Sequence, residues 1–228
     1  MAGARRAAPV DAYEALRDDI AGGRLLPNER LVEHDLARRY GVSRGAVRTA
    51  LVRLEQDRVI VHEPNRGARV RIVSEAEAVE ILEARAALEG IAAAHAARHA
   101  TDEQLAQLRE IAAEMAQLHE HGDLLDMSEA NARLHALILQ ASGHQTVQLL
   151  AARLNSQMVR FQYRTILVAG RARHSLAEHR EIVEATCARD SEAAERAMRA
   201  HLSNVARALH ERVMALADQR PDRTRAVG

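Results

Sequence analysis

The 228-residue sequence predicts a mainly α-helical chain: a three-helix unit closed by a β-hairpin, then an all-α bundle of six or seven helices. Three observations carry that prediction. Aromatic residues make up only 2% of the chain and there is no Trp, so the core must be Leu, Ile, Val, Met and Ala, of which Leu and Ala are strong helix formers. The stretch that reads as a hairpin, β-branched at one end and alternating apolar with Arg at the other, lies between residues 59 and 73. From Ser74 onward almost nothing but helix signals follows, separated by short breakers.

In chain order, residues 1–10 read as a flexible arm with two arginines. Asp11 to Gly22 forms a first helix with Tyr13, Leu16 and Ile20 on one face, and Gly22, Gly23 and Pro27 mark the loop after it. Leu31, Leu36 and Tyr40 recur at helical spacing. Gly41 then supplies the left-handed residue that a helix C-terminus often needs. Ser43 is a good N-cap for the next helix, whose apolar stripe is Val47, Leu51 and Leu54. Arg44, Arg48 and Thr49 fall off that stripe and face outward. Val59 to Val61 and Ala68 to Val73 make the hairpin, with Arg66 and Gly67 at its tip. Residues 11–73 thus form a winged helix-turn-helix, an arrangement that reads DNA through its second helix.

Residues 74–217 form the bundle. Ser74 to Glu77 and Thr101 to Gln104 are capping-box patterns that open helices over 75–99 and 101–121. Further helices are expected over 124–141, 145–168, 175–188 and 190–217. Connections this short favour antiparallel neighbours. The polar stretch 218–228 reads as a disordered tail.

Net charge is formally zero but unevenly placed. Residues 1–73 carry 14 Arg against 10 Asp and Glu, a net of +4, which leaves −4 for the remainder. Every basic residue is Arg. Cys187 is the only cysteine, so no intrachain disulfide can form. There is no apolar leader and no run near the ~20 apolar residues needed to span a bilayer. A cytoplasmic protein with no membrane partner is expected.

The N-terminal unit resembles the GntR family of bacterial transcription regulators. The residues that carry the resemblance are Gly23 to Pro27, Leu31, Glu33, Leu36-Ala37, Gly41 to Arg44, Val47-Arg48, Ala50-Leu51, Leu54 and Asn65-Arg66-Gly67. Two positions depart from the family's pattern: Asn28 and Arg58 stand where it usually has Gly, and Arg58 is the less comfortable if the backbone there is left-handed. Arg44 and Arg48 begin the recognition helix, where a guanidinium can fork onto a guanine edge. Ser43 and the helix N-terminus can hold a phosphate. Arg66 and Gly67 would reach the minor groove or the backbone. His34, Arg38, Arg39 and Thr49 are further candidates. The expected partner is double-stranded operator DNA, bound by a homodimer.

The bundle carries a second signal. Asn131 and His135 are i, i+4 on one helix, and His179 and His201 lie mid-helix on two others, among apolar neighbours. Read from the residues alone, these histidines serve either core hydrogen bonds or a metal. Their layout, with Glu83-Ala84-Arg85, Leu88-Glu89 and Ala188-Arg189-Asp190, resembles the FCD effector domain of the FadR subgroup within that family. The resemblance implies a divalent metal held by Asn131, His135, His179 and His201, with Asn131 replacing the usual Asp. Three imidazoles and an amide suit zinc or nickel better than magnesium or calcium. It also implies a small organic or sugar acid bound against the metal. Arg85 is the first candidate counter-charge, or else a salt-bridge partner of Glu89. Gln157, Arg160, Arg164 and Asn204 follow. A ligand-responsive repressor without enzymatic activity is the reading. Its alternatives are a metal sensor, a metal-free acyl-ligand regulator, and a metal-dependent enzyme with Glu178 as its one nearby base.

Overall fold

A computed structural model describes residues 11–63, 66–158 and 170–218, with side chains as far as Glu211. The expected arm, the last ten residues, the wing residue Asn65, and Arg160 and Arg164 lie outside the described residues. Two compact units result, one built from residues 11–73 with 155–158, the other from the remaining residues.

In the first unit, α1 (Ala12–Ala21) is capped by Asp11, whose carboxylate accepts the Tyr13 N–H at 2.9 Å. Strand β1 (Arg30–Leu31), α2 (Glu33–Tyr40), α3 (Arg44–Gln56), β2 (Ile60–Glu63) and β3 (Gly67–Val70) follow. Leu31, expected at the head of a helix, instead sits in β1 opposite Ala68 of β3. The chain enters α2 only at Glu33, and Leu31 is buried from the sheet side. The wing is therefore a three-stranded antiparallel sheet ordered β1-β3-β2, with Ile60 opposite Val70. Leu16, Leu31, Val47, Leu51, Leu54, Ile60 and Val70 share one core.

One buried carboxylate ties these helices together. Asp19 of α1 accepts the Tyr40 hydroxyl at 2.6 Å and Arg24 Nε at 2.5 Å, and pairs with Arg39 at 2.7 Å. Burial pushes its carboxyl pKa up, but these partners outweigh burial and hold it below the usual carboxylate range. Arg39 is thereby occupied within the protein.

Gly41 closes α2 at φ +66°, and Ser43 caps α3 by accepting the Ala46 N–H at 3.1 Å. Both departures noted in the sequence prove left-handed: Asn28 has φ +67° and Arg58 φ +58°. Asn tolerates this region, whereas Arg bears the Cβ clash that glycine avoids.

The second unit contains α4 (Glu75–His99), α5 (Asp102–His121), α6 (Leu124–Ala141), α7 (Gln145–Gln157) as far as residue 154, α8 (Arg171–Cys187) and α9 (Ser191–Asp218), six helices among the described residues. Thr101 and Gln104 form the full reciprocal capping box. Of the helix expected over 145–168, the described part ends at Gln157. Helix α8 begins one turn earlier than Ser175, directly after Gly170 at φ +76°. The Ser175 hydroxyl, at the expected start of the helix, lies 3.2 Å from His179 Nδ1 inside it. Helix α4 packs against α6, α8 and α9 through an alanine-rich face that includes Ala78, Ala86, Ala93 and Ala97. At Gly90 a Cβ would meet Arg199 Cγ at 2.8 Å, so any larger residue here makes the Arg199 side chain shift. No helix among the described residues is long and apolar enough to cross a membrane.

Substitutions at Arg58 test the backbone strain. Arg58→Gly and Arg58→Ala both delete the guanidinium, but only Gly relieves the left-handed clash. Urea unfolding should find the Gly variant more stable than the Ala variant by about 1 kcal/mol. Equal midpoints would mean that position 58 is unstrained.

Candidate metal centre

Helices α6, α8 and α9 each deliver one buried histidine to a common point. His135, His179 and His201 are 5%, 1% and 3% exposed, and one ligand atom from each lies within 4.8 Å of the others. The outward nitrogen of every ring is engaged. His135 Nδ1 lies 2.6 Å from Glu89 Oε2 of α4. His179 Nδ1 lies 2.6 Å from the Ser175 carbonyl oxygen, one turn back on α8. His201 Nδ1 lies 2.7 Å from Glu178 Oε2.

These partners are acceptors, so each Nδ1 carries the proton and each Nε2 presents a lone pair. His135 Nε2 and His179 Nε2 face each other at 3.2 Å. Two lone pairs at that distance repel unless a cation stands between them. Protons are disfavoured there: burial first, then the neighbouring imidazoles, hold His179 well below the ordinary histidine value. Burial and His135 do the same to His201. The Oδ1 atom of Asn131, one turn before His135, is buried without a hydrogen-bond partner. Three imidazole lone pairs and an orphaned amide oxygen fit a divalent transition metal.

The carboxylates behind the rings, Glu89 buried and Glu178 partly buried, are themselves paired. Arg85 Nε donates to Glu89 Oε1 at 2.8 Å. Burial raises the Glu89 pKa, but Arg85 and His135 outweigh burial and keep it ionised. Glu178 accepts Arg171 on Oε2 at 2.8 Å and Asn204 Nδ2 on Oε1 at 2.9 Å. Such carboxylate–histidine–metal chains orient the ligands and raise their basicity.

In the first unit, Ser43, Arg44, Arg48 and Thr49 are exposed on α3, as are His34 and Arg38 on α2 and Arg66 and Gly67 on the wing. Arg48 is held in a fork by Glu33 of α2, Nε to Oε1 at 3.0 Å and NH2 to Oε2 at 2.9 Å. That occupies the Nε–NH2 edge of a side chain that is otherwise largely exposed, and leaves NH1 unused by Glu33. Arg38 lies 3.6 Å from Asp35, and the Thr49 hydroxyl donates to the Gly45 carbonyl.

Residues 10–70 match the description "Bacterial regulatory proteins, gntR family", and residues 80–204 match "FCD domain". The chain belongs to the GntR family. It is a GntR-type DNA-binding transcriptional regulator with an FCD domain. The HTH-type transcriptional repressor RspR of Escherichia coli K12 is 29% identical over 199 residues, covering 87% of each chain. The putative L-lactate dehydrogenase operon regulatory protein of the same strain is 32% identical over 224 residues, covering 86% of this chain and 83% of its own length. The solved structure of E. coli McbR/YncC shares the fold, with a TM-score of 0.72 at 24% identity, covering 91% of this chain and 96% of that one.

Of the residues singled out in this GntR-family sequence, the three histidines come together and Asn131 lies one turn from His135. Arg85 and Asn204 stand behind the rings, bound to Glu89 and Glu178. Gln157 accepts a hydrogen bond from Arg71 at 3.3 Å and groups with the first unit. Sequence reasoning missed Arg171 and the supporting roles of Glu89 and Glu178. Position 171 preceded the expected start of its helix, although 171, 175 and 179 already had i, i+4, i+8 spacing.

Metal-stripped protein should lose stability as pH falls. The folded state keeps His179 and His201 neutral, whereas unfolded histidines protonate near pH 6.5. Below that value the unfolded chain binds more protons, so the urea midpoint should drop between about pH 7 and 5. A His179→Gln/His201→Gln variant should show a shallower decline. Parallel declines would remove the buried histidines as the cause.

Proposed function

We propose that this protein is an effector-gated repressor. A dimer grips a two-fold operator through the two winged units, and a small organic or sugar acid binds in the helical domain against a zinc or nickel ion held by His135, His179, His201 and Asn131. The observation that carries the reading is the set of Nδ1 contacts, which turns three neutral Nε2 lone pairs toward one point. When bound, the metal supplies a Lewis-acidic position for a carboxylate oxygen. The chain's own part is to keep His179 and His201 neutral through burial and to orient all three rings through Glu89, Ser175 and Glu178. Effector and DNA must alter each other's affinity by the same factor. The repressor names among the relatives support the sign of regulation, and the relative named for an L-lactate dehydrogenase operon supports an organic acid as the signal.

On the DNA side, Arg44 and Arg48 are the base readers, Ser43 and the N-terminus of α3 hold phosphate, and His34, Arg38, Thr49, Arg66 and Gly67 add backbone or groove contacts.

Fluorescence anisotropy with DNA upstream of the protein's own gene tests this directly. Binding should be salt-sensitive, and Arg44→Ala or Arg48→Ala should weaken it by about 5- to 150-fold, the worth of one bidentate base contact. Salt-independent or sequence-indifferent binding would sink the regulator's base-reading assignment. Elemental analysis of purified protein should find close to one zinc or nickel per chain, lost in His179→Ala. Release of operator on chelation alone, with no response to any acid, would instead make the metal the signal.

A further inference from the structure

We propose that Arg171 is the second anchor of the effector, and that the effector is a short acid with two negative charges, one group directed at the metal and the other at Arg171 NH1. This rests on the effector-binding reading above and names the ligand class it takes.

The unsatisfied atoms of the domain point to it. Buried side-chain atoms without a hydrogen-bond partner among the described residues are His119 Nδ1, Asn131 Oδ1, Asn155 Oδ1 and Arg171 NH1. Asn131 lies one helical turn before His135, Arg171 is bonded to the Glu178 that also lies against His201, and their orphaned atoms are opposite in polarity. An orphaned acceptor calls for a cation or a donor. An orphaned guanidinium nitrogen calls for an anion. Burying such a donor unpaired is expensive, because it keeps a charged N–H out of water with nothing in return.

Arg171 is also held still. The residue is 7% exposed, on the same face of α8 as Ser175 and His179. Its NH2 donates to Glu178 Oε2 at 2.8 Å, the atom that also lies 2.7 Å from His201 Nδ1. One nitrogen is pinned to the histidine scaffold, and NH1 is presented without an acceptor. Arg85 differs, since its Nε serves Glu89 and none of its nitrogens is both buried and unpaired.

Charge balance sets the ligand class. Among the described residues, the ionised groups bonded around the histidines are Arg85 and Arg171 against Glu89 and Glu178, which cancel. A histidine that ligates a metal does so as the neutral imidazole, so the three rings add no charge to the loaded site. A divalent metal therefore brings two uncompensated positive charges into a buried site, and a dianion restores neutrality where a monoanion leaves one charge over.

The test compares acids matched in carbon number on zinc-loaded, full-length protein: malonate with propionate, succinate with butyrate, glutarate with valerate. Calorimetry should find at least one diacid binding tenfold or more tightly than its monoacid partner. In Arg171→Lys the ion pair to Glu178 persists but the second nitrogen is gone, so the gap should shrink below threefold with zinc still at one per chain. A gap that survives in Arg171→Lys, monoacids that equal diacids on the wild type, or loss of zinc in the variant would each overturn the assignment. In the last case Arg171 would be a support for Glu178 and nothing more. If none of the six acids binds the wild type, this inference falls, and the wider effector reading falls with it unless another organic or sugar acid binds. Monoacid binding equal to diacid binding removes this inference alone.

Discussion

The second unit depends on a single constraint: every Nδ1–H of the three buried histidines must find an acceptor on the side away from their meeting point. Two of those acceptors are carboxylates that cannot be buried alone, so Glu89 requires Arg85 and Glu178 requires Arg171 and Asn204. Glu178 joins α8 to α9 through His201 and Asn204, and Glu89 joins α4 to α6 through His135. The alanine face of α4 lets its neighbours approach closely, which hydrogen bonds of 2.6–2.9 Å between helices require. Packing and electrostatics are therefore one design here, in which the polar centre sets how closely the apolar faces meet.

The first unit solves a different problem with similar means. Its helices are locked from behind by Asp19 of α1, which gathers Arg24 from the following loop and Arg39 and Tyr40 from α2, so the outward face is free to carry arginines with little role in folding. The absence of lysine bears on this face. Guanidinium forks suit planar acceptors, and Glu33 already uses one fork of Arg48 to restrict its rotation.

Much of this architecture was legible in the sequence because it rests on local rules. Gly41, Ser43 and Thr101 cap as their types dictate, and the apolar spacing of α3 is the spacing of its core face. The histidine trio was legible as spacing plus resemblance. What escaped were features set by tertiary context. Leu31 joined a strand because β3 offered it a partner, which no local pattern announces. The start of α8 at Arg171, one turn before the expected Ser175, was hidden by a residue type with no capping preference. The acceptors behind His135 and His201 were invisible as a set, because Glu89 and Glu178 come from different helices and each sits in an unremarkable local pattern. The positive φ at Arg58 was suspected from the glycine it replaces, and only the backbone shows that the left-handed turn is kept.

The origin of the three histidines has a mechanical side. His135 and His179 are 44 residues apart in the chain and lie on α6 and α8, while His201 lies on α9. An ion shared by them is a rivet through three helices, closing long loops that the chain cannot close covalently, since its single cysteine has no internal partner. Occupancy then stiffens the bundle as a whole, and whatever displaces or completes the coordination sphere acts on a cross-link and is felt along every helix it joins.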